Sequence, residues 1–185
     1  MDRSRLIATC LLAAILSVGP SLGAPPAKHE PAAPLAKPEL EPAALVADTL
    51  KVIGPAGQAL TLKAAEFGAL THITLNASIH DEDYTFEGVE LTGLLAKVGA
   101  PTGKELRGPE VSKVVVVTAS DGYRLVLSLV ETDPRFRPNR IIVADRMDGQ
   151  PLNAHDGPFR LIVEGDLDAA RLVRNLATIE VRKLD

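Results

Sequence analysis

The chain has 185 residues, a formal net charge of −4, no tryptophan and one cysteine, Cys10. That length suffices for one self-supporting core with terminal extras. The acidic balance and scarcity of rings argue against a nucleic-acid-binding protein, which needs a basic footprint and surfaces on which bases stack.

Residues 1–24 carry Arg3 and Arg5, then the apolar run LIATCLLAAIL, then Gly19-Pro20 and small residues ending at Ala24. This is the pattern of a cleavable export signal, cut near Ser21–Ala24, for a periplasmic or secreted protein. The apolar run is short for a membrane span, and a retained N-terminal anchor is the alternative. Cleavage removes Asp2, Arg3, Arg5 and Cys10, which takes the formal charge from −4 to −5 and leaves no thiol. The exported chain then has no disulfide, thiolate ligand or cysteine nucleophile, and no membrane span. Residues 25–44 follow as a Pro/Ala-rich disordered tether. The stretch PPAKHEPAAPLAKPELEP holds six of the 14 prolines and cannot bury enough surface to offset chain entropy. The folded domain spans 45–185.

In chain order, TLKVIGPAGQALTLKAAEF reads as a hairpin turning at Gly54–Gly57, with a short helix over Lys63–Leu70. HITLNASI is a strand alternating through Ile73, Leu75 and Ala77. An acidic turn, His80-Asp81-Glu82-Asp83, leads into the strand YTFEGVEL. LTGLLAKVGA is a helix with Leu91, Leu94, Leu95 and Val98 on one face and Gly99 at its C-terminus. Lys113–Ala119 is β-branched throughout VVVV, which predicts a strand buried on both faces. Ser120-Asp121-Gly122-Tyr123 turns it into RLVLSLV, since Asp-Gly readily adopts positive φ. IIVADRM, FRLIVEG and LATIEVRKL are further strands, the first two separated by Asp148-Gly149 and the loop QPLNAHDGP. Roughly nine strands with a few short helices and hairpin links predict a β-rich α+β domain with a mixed sheet or barrel-like sandwich.

The succession FEGVELTGLLAKVGAP, VVVVTASDGYRLVLSLVE, VADRMDGQPLNAHDGPFRLIVEGD and RLVRNLATIEV resembles the molybdopterin-binding domain of the sulfite oxidase family. It is most similar to the small exported, stand-alone versions, over nearly all of residues 48–185. The resemblance implies a β-rich α+β domain with mixed sheets and a few short helices. It also implies oxidation or reduction of small oxo compounds at a molybdenum held by a pterin dithiolene and one protein cysteine. In the family that cysteine ends a strand shortly before the Phe/Trp-x-Gly-Val-x-Leu segment. The corresponding region here is Leu75–Ile79, which reads Leu-Asn-Ala-Ser-Ile, so the soft thiolate is missing. Asn76 and Ser78 remain as candidate cofactor contacts, Ser78 as a hard alkoxide ligand.

The acidic turn, with His72 and His155 as possible partners, offers oxygen and imidazole donors for a cation. It lacks metal-site spacing, however, and reads first as a solvated turn. The ten arginines after residue 24 all lie between Arg107 and Arg182, where twelve acidic residues accompany them. Surface ion pairing accounts for most. Arg160, Arg171 and Arg174 match motifs on the family's cofactor side and are candidates for holding a phosphate or oxoanion, which guanidinium forks suit. Asp121 is a candidate base, Tyr123 a hydrogen-bond donor and Glu131 a neighbour, against a plain turn reading.

Three readings follow. The chain is a binding or accessory redox module without its own molybdenum–thiolate centre, holding a small anion or pterin-like ligand or meeting a redox partner protein. Alternatively it is a molybdopterin-dependent oxidoreductase without the cysteine, or a structural domain whose pocket has been filled.

Overall fold

The computed structural model describes residues 48–184. The expected signal (1–24) and tether (25–44) lie outside the described residues. Ten strands and two short α-helices build two five-stranded sheets. The first sheet runs β2 (Ala59–Lys63), β1 (Thr49–Ile53), β10 (Leu176–Lys183), β5 (Lys113–Ala119), β6 (Arg124–Ser128). It is mixed, because β1 lies parallel to β10 while its other pairs are antiparallel. The second sheet runs β3 (Ile73–Ile79), β4 (Glu82–Glu90), β7 (Ile141–Met147), β8 (Gln150–Pro151), with β9 (Arg160–Val163) also on β7, and is antiparallel throughout. The expected β-rich α+β class is therefore observed.

The main core lies between the sheets. Leu50, Val52, Val115, Val117 and Ile179 pack there with Val143, Leu161 and Val163, and both helices add side chains to it. Helix α1 (Ala64–Gly68) contributes Phe67, whose ring meets Phe159 edge-on at 4.9 Å. Helix α2 (Leu91–Lys97) buries Leu91, Leu94 and Leu95, with Val98 just beyond, as its spacing requires. Gly99 then takes a φ of +74° and donates to Ala96, while Ala100 donates back to Leu95. That is the Schellman arrangement, in which glycine carries the left-handed turn.

Three sequence expectations are corrected. The run VVVV in β5 is buried on one face only: Val115, Val117 and Ala119 point inward, and Val114, Val116 and Thr118 are half-buried. The strands buried on both faces are β7, at Ile141–Ala144, and β9. β7 lies between β4 and β9, with the main core on one side and a second cluster of Leu75, Phe86, Ile142, Ala144, Ile162 and Leu172 on the other. The acidic turn also shrinks. Only His80 and Asp81 form the loop, both at positive φ (52° and 66°), while Glu82 pairs with Ile79 and opens β4. A two-residue hairpin loop of the I′ type needs no more, and aspartate tolerates that conformation. Finally, RLVLSLV stops being strand at Ser128, and Leu129–Thr132 coil into one tight turn.

Gly88 marks a close approach of β4 to β7. A Cβ there would lie 2.0 Å from the Val143 carbonyl oxygen and 2.5 Å from the Ala144 Cα. Both are backbone atoms that cannot step aside. Gly88→Ala should therefore destabilise the domain by about 3 kcal/mol, read as a lower denaturant midpoint at unchanged slope.

Candidate functional site

Side chains alternate along β9, so Leu161 and Val163 enter the main core while Arg160 and Ile162 face the second cluster. Arg160 is only 5% exposed. Its Nη1 donates to Asp156 at 3.0 Å, and its guanidinium carbon lies 5.8 Å from the centre of the Phe86 ring. Its buried Nε meets no hydrogen-bond acceptor among the described residues. Burial pulls the guanidinium below its ordinary pKa; Asp156 opposes that shift and Arg174 reinforces it. An arginine remains charged under such a shift, so a positive charge stands in apolar surroundings with one carboxylate to balance it.

A strap, residues 164–175, crosses this face of the sheet and is pinned by Leu172 in the second cluster. It brings in Arg174, whose Nη1 lies 2.8 Å and 3.1 Å from Nε2 and Nδ1 of His155. Between strap, β9 and the tip of the β3–β4 hairpin lies a cleft of about 400 Å³, to which Arg160, Arg174, His155, His80 and Tyr84 contribute, over an apolar floor. The Tyr84 hydroxyl donates to Glu82 at 2.5 Å, and this bond holds its pKa above the ordinary value.

Of the sequence candidates, Arg160 and Arg174 thus share one cleft. Asp121 and Tyr123 line an adjoining recess of about 580 Å³, which His155 and Arg174 also border. There the Asp121 carboxylate accepts from the backbone N–H of Tyr123 at 2.9 Å, which makes it the fastener of its own turn. Tyr123 donates to the carbonyl of Ala170 at 2.7 Å and so ties the strap down. Arg171 points elsewhere, to Glu131 at 2.9 Å and Asp166 at 3.3 Å. Asn76 and Ser78 lie on the face of β3 opposite Leu75, Ala77 and Ile79, in an open trough of about 890 Å³ shared with Asp81, Asp83, Asp166 and Asp168. Asn76 accepts from Thr85 at 3.2 Å, and the Ser78 hydroxyl donates to Asp83. That trough is acidic, whereas the arginine cleft beside it is basic.

His72 stays away from the hairpin tip, between the Leu70 carbonyl (2.7 Å) and Asp145 (3.0 Å), whereas His155, in contact with Arg174, shares the arginine cleft with His80. Among the described residues no group of three His, Cys, Asp or Glu side chains is arranged to hold a metal ion. The donor set at β3 can be compared directly with the implied molybdenum ligand. Residues 75–79 contain no sulfur, the chain's one cysteine is Cys10, and the Ser78 hydroxyl is engaged by a carboxylate. A soft thiolate site does not fit these residues.

Sequence reasoning passed over Asp156, read as a loop residue, and Phe86, read only as part of a motif. Asp156 precedes Arg160 by four residues, but outside a helix that spacing carries no pairing signal.

A family model described as "Oxidoreductase molybdopterin binding domain" matches residues 47–185. Among solved structures, the chain is similar to the crystal structure of the sulfane dehydrogenase SoxCD from Paracoccus pantotrophus, with 16% identity and a TM-score of 0.56. The likeness covers 74% of this chain and 38% of that one, so the chain spans well under half of that chain's length, and what the two share is the fold. None of the curated proteins matches. The family match takes in every strand of both sheets and all the residues of the arginine cleft, and the chain belongs to the oxidoreductase molybdopterin binding domain family, the sulfite oxidase-like group that its motifs resemble.

Proposed function

We propose that the chain is an exported binding or accessory redox module that holds a small anion, or the phosphate of a pterin-like ligand, without a molybdenum–thiolate centre of its own. One observation carries the reading: a buried, under-satisfied arginine with a second arginine beside it lines a cleft in a domain whose ligand strand offers no sulfur. Each part has a physical consequence. A guanidinium held out of water with a single carboxylate retains unused donors, and an incoming anion supplies acceptors at little reorganisation cost. The apolar floor lowers the local dielectric and strengthens that attraction. Molybdopterin, where bound, supplies redox chemistry through its metal; the residues here would bind and orient its anionic group and offer no sulfur donor to that metal.

Protein purified from an exporting host that makes molybdopterin tests this reading by metal analysis and by pterin fluorescence after denaturation. The expected result is molybdenum far below one atom per chain. Stoichiometric molybdenum overturns the reading and favours an oxidoreductase. A released pterin without molybdenum identifies the ligand as pterin-like.

A further inference from the structure

Arg174 meets no carboxylate within ion-pair distance among the described residues; its partner is the ring of His155. Nη1 lies almost equally far from the two ring nitrogens, which places it over the ring rather than along either lone pair, where a neutral ring attracts the cation and a protonated ring repels it. Asp156 stands on the other side of the same ring. Its Oδ1 takes the Arg160 hydrogen bond at 3.0 Å and lies 3.6 Å from His155 Nδ1. Protonating His155 therefore acts three times in one direction. It repels Arg174 from its place over the ring, adds a positive charge at the cleft wall, and draws Asp156 away from Arg160. All three raise the positive potential that an anion meets.

Other charged or titratable groups near this ring are committed elsewhere. Asp121 fastens its own turn, Tyr123 donates to Ala170, and Tyr84 donates to Glu82. His80, at the hairpin tip, is the second imidazole on the cleft. The geometry points to a proton-linked site: the Arg160–Arg174 cleft takes up a small dianionic oxoanion together with a proton on His155. This rests on the anion-binding reading above and adds its regulation. By reciprocity the bound anion favours protonation of His155 to the same degree that protonation favours the anion. Imidazole is the ordinary side chain that changes charge between pH 5 and 8, so that window is the one to test.

Sulfate is the suitable probe, because it stays dianionic across that window and any pH dependence belongs to the protein. Calorimetric titration of the purified protein at about pH 5.5 and about pH 8 should show sulfate binding about three- to fivefold tighter at the lower pH, a size set by the exposure of His155. Proton uptake on binding should appear when buffers of different ionisation enthalpy are compared. His155→Gln should flatten the ratio, and His72→Gln, at a site beside Asp145 and away from the cleft, should keep it. Equal wild-type affinities at the two pH values overturn the linkage and leave the anion site standing. No sulfate binding at either pH overturns the anion site itself. A ratio that survives His155→Gln overturns the assignment to His155.

Discussion

Asp156→Ala should lower the unfolding free energy by about 3 kcal/mol or more, the scale for stranding one partner of a buried ion pair. The side chains of Arg160 and Asp156 are 6% and 13% exposed, and Asp156 is the one carboxylate that pairs with Arg160 among the described residues. Without it, a guanidinium whose Nε already lacks an acceptor is left with its charge uncompensated. The loss should be partly recovered by sulfate, because an anion in the cleft replaces the missing counter-charge and binds only the folded state. Denaturant titrations of wild type and variant with and without sulfate measure both effects. A variant that sulfate rescues no better than wild type would show that the cleft does not bring anions to Arg160.

The second large effect belongs to Phe86. Its ring is fully buried in the second cluster, beneath the guanidinium of Arg160. Phe86→Ala should cost about 3–5 kcal/mol, from lost transfer free energy and from the cavity left behind. Phe86→Leu should recover much of that stability but not the attraction of the ring for the cation, worth about 1–2 kcal/mol where desolvated. Anion affinity should separate the two contributions. If the leucine variant binds sulfate as wild type does, the ring only fills space.

The fold was readable because most of its signals are local. The spacing of Leu91, Leu94, Leu95 and Val98, ended by Gly99, specified a helix and its cap, and both are present. Ser120–Tyr123 specified a hairpin turn, and Asp121 closes it. Burial was less readable. VVVV in β5 and IIVA in β7 look alike as strings, yet β7 lies in the middle of a sheet with apolar side chains on both sides, and β5 has a half-open outer face. That difference is set by what packs above each strand, which short-range pattern does not encode. The site divided in the same way. Arg160 and Arg174 were named from their motifs, but the carboxylate, the ring and the imidazole that surround them come from separate segments brought together by β9, β4 and the strap. Asn76 and Ser78 were named by position along β3, and strand alternation turned them to the acidic side.

The double-sided burial of β7 has a consequence for motion. The second cluster holds few side chains beside the main core, and it packs Leu172 of the strap and the inner face of β3. Cooperative units of unequal size open at unequal free-energy cost. Amides of the strap and of the β3–β4 tip should therefore exchange with deuterium through a partial opening that leaves β5 and β10 protected. Sulfate should slow exchange in the first group and leave the second unchanged. The cleft would then fill and empty by brief loosening of one side of the sheet, while the rest of the domain stays closed.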